Sequence, residues 1–197
     1  KDNPIYGEMV RVRGDVGTGR TIEVSGHMCV LATMDEVNDG RLPSKFNASV
    51  EYGNWEGGFI DEQMSKEIDA GYFGDKGNKT QENTWAECNI KYNTPVYLMT
   101  VSEVEFFLAE YYATIAVDAA KAKAHYEAAI DASFATAGVT GASDIYGTGK
   151  KYAWNASKAM ELIGIQKWIA LAGINGFESW CELRRTGYPA FGPKTGK

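Results

Sequence analysis

The sequence has few of the residues that build metal sites and redox centres. It contains three cysteines and two histidines in 197 residues. The cysteines lie far apart, at positions 29, 88 and 181, without the close spacing typical of zinc sites or redox pairs, and their odd number argues against a disulfide framework. His27 and His125 match no metal-ligand spacing, so we expect both to be ordinary surface or packing residues. We therefore expect no metal and no cofactor.

Positive charge and long apolar runs are also scarce. The formal net charge is -6, and the lysines and arginines are scattered without a basic block, so a nucleic-acid partner is not expected. No uninterrupted apolar run is long enough to span a bilayer. The chain begins KDNPIYGEM, without an initiator methionine or the apolar region of a signal peptide, and we interpret it as trimmed.

The chain has two regions with different sequence patterns. With 44% apolar and 23% charged residues it can bury one core, so a single domain or a fragment is expected over residues 1–197. Residues 1–100 are rich in Gly, Asn, Asp, Thr and aromatic residues, which predicts loops around a few short elements. These elements are a helix over 25–38, ended by Gly40 and Pro43, and an extended segment over 95–101.

Residues 101–190 show helical periodicity. Ser102 followed by Glu105 fits a capping box, which predicts that a helix starts here. The spacing of one helix face then recurs, and a second stripe predicts the partner helix of an antiparallel pair, stopped by Gly138. The first face consists of Val104, Leu108, Tyr111 and Ile115, and the second of Ala122, Tyr126, Ala129, Ile130, Ser133, Phe134 and Ala137.

Two further helices are predicted at the end of this region. Ser157 is expected to open a helix that is apolar on two sides, and such a helix is buried between layers. The last helix is predicted over 177–184, and the turn 186–189 ends it. Trp168 and Trp180 lie at core spacing on these helices, so we expect both to be packing residues.

The order of these helices resembles the C-terminal part of RagB/SusD-type nutrient-binding proteins. The resemblance rests on the segments AEYYATIAVD, AKAHYEAAIDAS and LIGIQKWIALAGINGFESWCELRRTGYP. Upstream, NPIYG and NDGRLP are similar to the Asn-Pro start and the Asn-Asp-Pro-Arg-Leu segment of the family, with Gly40 where proline is usual. The resemblance covers most of the chain, loosely before Thr100 and closely after it.

The resemblance implies a mainly α fold of tetratricopeptide-like helical hairpins with a long, irregular, loop-rich N-terminal half. It also implies a non-catalytic lipoprotein at the surface of the Gram-negative outer membrane, anchored upstream of Lys1, that binds oligosaccharide and delivers it to a TonB-dependent transporter of the SusC type. Family members are considerably longer and carry most helical repeats in an N-terminal part, so we interpret this chain as a C-terminal fragment or a reduced member.

Sugar binding requires a flat apolar ring face for the C–H side of a pyranose, with polar side chains nearby for its hydroxyls. In the loop-rich region, glycines flank several aromatic residues and would let the rings stand clear of the backbone. The candidate ligand-binding residues are Tyr52, Trp55, Tyr72, Phe73 and Trp85. Their neighbouring polar partners are Asn54, Asp75, Asn78, Asn83 and Asn89.

Two glutamates, Glu105 and Glu110, lie in a helix that is otherwise lined with apolar residues. A charge on such a face is usually tolerated only when it is paired. We expect Arg184 or Arg185 to reach one of these glutamates. The resulting structural ion pair would lock the terminal helices onto the first helix pair.

Other motif matches are weak. The glycine-rich segment GDVGTGR, residues 14–20, lacks the Gly-Lys-Ser/Thr of a phosphate loop, so a flexible turn is expected. Two acidic sets do not follow the calcium-loop spacing and are expected to be solvated charge. These sets are Asp35, Glu36 and Asp39, and Asp61 and Glu62.

Two alternative functions stay open. A tetratricopeptide-like module docks peptides or proteins, and it would place exposed aromatic residues along a concave helix face rather than in loops. A glycan hydrolase depends on a carboxylate pair defined by separation in space, which the sequence does not reveal. No residue pattern calls for hydrolysis, and the leading prediction is a binding protein that is not an enzyme.

Overall fold

A computed structural model describes residues 28–48, 87–91 and 93–190. The chain divides into two compact units, Lys1–Val96 and Tyr97–Lys197. The first unit contains short elements, whereas the second consists of helices over its described residues.

Within its described residues, 28–48, 87–91 and 93–96, the first unit contains two short helices and a two-stranded ribbon. Helix α1 spans Met28–Asp35 and α2 spans Leu42–Lys45. Strands β1 (Phe46–Asn47) and β2 (Glu87–Cys88) pair in antiparallel orientation, with Phe46 opposite Cys88. The helix predicted over 25–38 is thus observed from residue 28, and residues 25–27 lie outside the described part. Among the described residues of this unit, the buried apolar side chains are Val30, Leu31, Met34, Leu42 and Phe46.

An ion pair between Asp39 and Arg41 is buried in this unit. Arg41 Nη2 lies 2.6 Å from Asp39 Oδ2, and both side chains are fully shielded from solvent. The main-chain N–H of Arg41 also donates to Asp39 Oδ1. The prediction that Asp39 is solvated is therefore wrong, because a buried carboxylate is retained when a cation and hydrogen bonds compensate its desolvation. Burial, with the Arg41 charge adding to it, lowers the pKa of nearby Lys45 to about 7.

The second unit contains five α-helices and one 3₁₀ helix within residues 97–190. They are α3 Val101–Thr114, α4 Ala119–Ala137, α5 Ser143–Tyr146, the 3₁₀ helix Ala156–Lys158, α6 Ala159–Leu171 and α7 Gly176–Thr186. Helix α3 packs mainly on α4 and also contacts α6, which in turn contacts α7. Because a short turn joins α3 to α4, these two helices form the hairpin that the sequence predicts.

The buried face of α4 follows the predicted stripe. All of its predicted members are buried except Ala137, which is half-buried. The main-chain N–H of Gly138 bonds back to the last turn, and its φ of 70° lies in the left-handed region that glycine adopts without a steric penalty. The prediction that Gly138 ends this helix is therefore confirmed.

The start of α3 differs from the prediction. Thr100, not Ser102, caps the helix, and it forms a reciprocal capping box with Glu103. The Ser102 hydroxyl instead donates to the carbonyl of Ala129 on α4 at 2.8 Å. Since Val101 is already helical, the predicted extended segment over 95–101 is also wrong, and residues 95–100 are irregular.

The face of α3 predicted to be buried is largely exposed. Val104, Tyr111 and Ile115 are all exposed, while Leu108 is half-buried. The packed face instead carries Phe106 and Ala109, neither of which is accessible to solvent. Helix α3 is therefore apolar on two sides, and only one of them packs against the helices of this unit.

Helix α6 is enclosed on most sides. Ten of its residues are buried, among them Trp168 and Ile169, so the prediction of a helix buried between layers is confirmed. Gly164 allows Tyr188 to approach the backbone of α6 closely, because a Cβ atom at position 164 would lie 2.7 Å from the Cβ of Tyr188. The chain after α7 thereby packs directly against the backbone of α6.

Candidate functional site

The candidate ligand-binding residues Tyr52, Trp55, Tyr72, Phe73 and Trp85 all lie outside the described residues. The same holds for their polar neighbours, except Asn89. The Asn89 amide donates to the carbonyl of Ser44 at 3.1 Å, and its main-chain N–H donates to Lys45. Asn89 therefore has a structural role at the end of the β-ribbon.

Exposed aromatic rings occur on two helices of the second unit. Phe107 and Tyr111 lie on α3, whereas Phe177 and Trp180 lie on α7. Trp180 is 54% exposed, whereas Trp168 is 9% exposed. Trp168 is a packing residue as predicted, but the same prediction for Trp180 is wrong.

Helix α7 buries a polar side and exposes an apolar one. Ser179 and Glu182 are its buried residues. Phe177 and Trp180, with centroids 6.1 Å apart, point to solvent from the other side. Sequence periodicity places a stripe on one face of a helix but does not say which face meets the core, and this explains the error for Trp180.

Arg184 extends the exposed aromatic surface of α7. Its guanidinium carbon lies 5.5 Å from the centroid of the Trp180 ring, within the range of a cation–π interaction. Phe177, Trp180 and Arg184 thus follow one another along one side of the helix at positions i, i+3 and i+7. This arrangement combines apolar ring faces with a planar hydrogen-bond donor.

Arg185, the neighbouring arginine, belongs to a charge network that links three helices. It contacts both carboxylate oxygens of Glu110 on α3, each at 2.6 Å. It also donates to Glu182 Oε2 at 2.7 Å, and Glu182 Oε1 lies 3.1 Å from Lys167 Nζ on α6. The four side chains therefore alternate in sign and connect α3, α6 and α7.

The environment of this network shifts several pKa values. Burial lowers the pKa of Lys167, against the opposing effect of Glu182. Burial also disfavours ionisation of Glu182, but hydrogen bonds and charge from Arg185 and Lys167 outweigh it and lower the pKa of this carboxyl. The hydrogen bonds to Glu110, and then to Glu182, raise the pKa of Arg185. The shifts of Glu182 and Arg185 both favour the charged form of the side chain, which suits a structural ion pair.

The Lys167 ammonium has a second partner. It lies 3.6 Å from the centroid of the Phe107 ring, where the negative face of the ring attracts a cation. Because Lys167 is 2% exposed, this contact and Glu182 replace most of the water that would otherwise solvate the charge. Lys167 therefore covers one face of the Phe107 ring.

Glu105 takes part in a different contact from Glu110. Its Oε2 lies 2.7 Å from His125 Nδ1, and the His125 ring stacks on Tyr112 with an interplanar angle of 3°. This cluster joins α3 to α4. The arginine–glutamate contact is formed by Arg185 and Glu110. Glu105 contacts His125 instead.

A polar pocket opens at the C-terminal end of α3. It has a volume of about 200 Å³ and lies between the last turn of α3, the 3₁₀ helix, the first turn of α6 and Tyr188. The side chains that define its chemistry are Thr114, Ser157, Lys158, Glu161 and Tyr188. An aromatic ring, two hydroxyls and two opposite charges therefore surround one concave site.

The described residues show neither a metal-binding cluster nor a helix able to span a membrane. Among them, no group of three or more His, Cys, Asp or Glu side chains is arranged to hold a metal ion. Within the same part of the chain, no helix combines the length and the apolar character needed to cross a bilayer.

The family follows from the sequence as a whole. A family model described as SusD-like, starch-binding and associating with the outer membrane matches residues 8–197. The chain belongs to this SusD-like family. The resemblance noted from the sequence is thereby confirmed, as is its mainly helical fold. No match was found among curated proteins.

Solved SusD homologues share the fold of this SusD-like chain. One from Bacteroides uniformis is 25% identical, with a TM-score of 0.67 over 87% of this chain and 38% of its own. One from Bacteroides thetaiotaomicron is 25% identical, with a TM-score of 0.62 over 81% of this chain and 37% of its own. One from Bacteroides vulgatus is 24% identical, with a TM-score of 0.62 over 85% and 38%. The SusD-like chain thus spans less than half the length of these structures.

Proposed function

We propose that this SusD-like protein binds glycan without cleaving it and passes it to a TonB-dependent transporter of the SusC type. The observation that carries the proposal is the family match over residues 8–197, since that family is described as starch-binding and associated with the outer membrane. In the full-length protein a lipid anchor would hold this activity at the cell surface. Stacking and hydrogen bonding suffice for such a role, so no catalytic residue is assigned.

The proposed glycan contacts are the aromatic rings of the loop-rich region, Tyr52, Trp55, Tyr72, Phe73 and Trp85. Their glycine-bordered sequence supports this assignment, because small neighbouring residues leave an aromatic ring room to contact a sugar chain. The family description supports it from a second direction, since a starch-binding protein needs flat ring faces.

A protein-docking role for the helical unit is the second candidate. It is favoured by the exposed rings of Phe107, Tyr111, Phe177 and Trp180, which lie on helices rather than in loops. Aromatic residues and arginine are also enriched at the energetic centre of protein interfaces. The two roles are compatible, because the loops would hold glycan while the helices contact another protein.

Affinity electrophoresis in native gels tests the glycan proposal. The chain is run through gels that contain starch, and through matched gels with other neutral polysaccharides. We expect retardation in at least one gel, reduced about tenfold in apparent affinity by Trp55→Ala or Trp85→Ala, because loss of a stacking ring removes about 1–2 kcal/mol of binding energy.

Trp180→Ala is the matched control, since Trp180 is exposed but lies on a helix outside the loop region. It should leave the retardation unchanged if loop rings bind the glycan. Retardation that survives both loop variants but disappears with Trp180→Ala would contradict the loop assignment. Migration identical to that in polysaccharide-free gels throughout the panel would contradict glycan binding by this chain.

A further inference from the structure

The polar pocket at the end of α3 lies apart from the loop aromatics in sequence, and its position is fixed by the fold. Tyr188 forms part of the pocket wall, and its Cβ packs against the backbone of α6 at Gly164. The Thr186 hydroxyl accepts the main-chain N–H of Tyr188 at 3.1 Å and donates to the carbonyl of Glu182 at 2.8 Å. The ring is therefore anchored at its base while the side chain stays half-buried at the pocket.

The two hydroxyl groups of the pocket are arranged as acceptors. Thr114 Oγ1 donates its hydrogen to the carbonyl of Glu110 at 2.8 Å, and Ser157 Oγ donates to Asn155 Oδ1 at 2.7 Å. A hydroxyl that already donates keeps its lone pairs available. Glu161 adds a carboxylate acceptor. The pocket thus offers several acceptors to a ligand that is rich in O–H donors.

The last turn of α3 also has main-chain carbonyls without a helical donor. The N–H groups that follow α3 donate to the carbonyls of Tyr111 and Tyr112. The carbonyls of Ala113 and Thr114, later in the same turn, have no donor within α3 because a helix ends with unpaired C=O groups. Both residues line the pocket.

Charge decides between a neutral and an ionic ligand. Lys158 and Glu161 both line the pocket, so their formal charges cancel. An anion would meet the carboxylate and the main-chain carbonyls, whereas a cation would meet the ammonium. A neutral molecule with many hydroxyls avoids both penalties and satisfies the donor Lys158 as well as the acceptors.

We propose that this pocket holds one pyranose unit of a neutral glycan, with the sugar ring against Tyr188. The volume of about 200 Å³ accommodates a single sugar ring rather than an oligosaccharide. The proposal rests on the glycan function proposed above and adds a second contact point for the chain. An oligosaccharide bound at the loop aromatics need not reach this pocket for either site to work.

Amide chemical shifts of the isotope-labelled chain test the pocket. The probes are methyl α-glucopyranoside and methyl β-galactopyranoside, added separately to about 50 mM because single sugars bind weakly. We expect saturable shifts at the amides of residues 156–161 and 188 with at least one probe. Tyr188→Ala keeps the Cβ that packs on Gly164 and removes the ring, so it should weaken binding about tenfold or more. Tyr111→Ala, an exposed tyrosine outside the pocket, should not.

Glu161→Gln provides a second variant that keeps the shape of the side chain. It should weaken binding of the probe at least threefold, while the amide shifts of the rest of the chain stay unchanged. The proposal that the pocket binds a sugar would be overturned if these amides show no saturable shifts. It would also be overturned if Tyr188→Ala and Glu161→Gln both leave the shifts unchanged. If the same sample is still retarded by polysaccharide, the pocket fails and the glycan function stands. If no polysaccharide retards the sample although the probe binds here, the glycan function proposed above fails together with its loop assignment, and the pocket stands as a site for a single sugar.

Discussion

Replacing Glu182 with alanine is expected to lower the free energy of unfolding by about 3–5 kcal/mol, because it leaves the buried Lys167 ammonium without its carboxylate. Lys167 is 2% exposed and lies 3.1 Å from Glu182 Oε1. The Phe107 ring face would be the main remaining partner of this charge, and a cation–π contact does not replace an ion pair. Urea unfolding followed by circular dichroism at 222 nm measures the loss.

Glu178→Ala is the matched control for this prediction. Glu178 is an exposed glutamate on the same helix, so its loss should cost less than about 1 kcal/mol. The double variant Lys167→Met with Glu182→Leu removes both charges and should recover most of the lost stability. A Glu182→Ala variant as stable as Glu178→Ala would show that the network does not hold the terminal helix.

The pH dependence of this effect has a defined sign. The folded state lowers the pKa of Glu182 from its usual 4.5, so the stabilisation is complete above that value and is lost as the pH falls through the folded pKa. The difference in unfolding free energy between the wild type and Glu182→Gln should therefore shrink below about pH 4. A difference that is constant with pH would mean that the carboxylate charge is not what stabilises the fold.

Phe106→Ala is expected to destabilise the helical unit by about 3–5 kcal/mol. Phe106 is fully buried on α3, and the edge of its ring packs on Tyr126 of α4 at a centroid distance of 6.4 Å. Removing the ring leaves a cavity in the hairpin, and the surrounding helices close it only in part. The same urea titration measures this loss.

Phe177→Ala controls for the loss of an aromatic ring from a helix. Phe177 is 70% exposed, so the substitution should change stability by less than about 0.5 kcal/mol. Equal losses of stability for Phe106→Ala and Phe177→Ala would mean that Phe106 does not lie on the buried face of α3. A large loss for Phe177→Ala alone would mean that the α7 surface is covered in solution.

The α4 stripe illustrates what the sequence reveals. Its small and aromatic residues alternate at one helical spacing with charged residues between them, so only one face is able to pack. The sequence does not decide whether Thr100 or Ser102 caps α3, because TVSE and SEVE overlap and both fit the pattern of a capping box. The hydrogen bond from Ser102 to Ala129 of α4 commits the Ser102 hydroxyl elsewhere, and the sequence does not show this partner.

Helix α7 shows where sequence reasoning is least informative. The sequence predicts that its apolar stripe packs in the core, yet Glu182 points inward because Lys167 and Arg185 form ion pairs with it. A pairing between residues distant in the sequence thus overrides hydrophobic periodicity. The pocket depends on the same kind of long-range contact, because Tyr188 packs on Gly164 of α6, whereas the sequence predicts only that the turn 186–189 ends the helix.

The central claim is that this chain binds glycan and leaves it intact, and calorimetry combined with product analysis tests it directly. The polysaccharide that retards the chain most strongly is digested to defined oligosaccharides, and each of them is titrated into the protein in turn. Our account predicts a saturable isotherm and an unchanged chain-length distribution in the recovered sugar. Shortened oligosaccharides would make the protein a hydrolase, and heats indistinguishable from dilution for every oligosaccharide would contradict glycan binding.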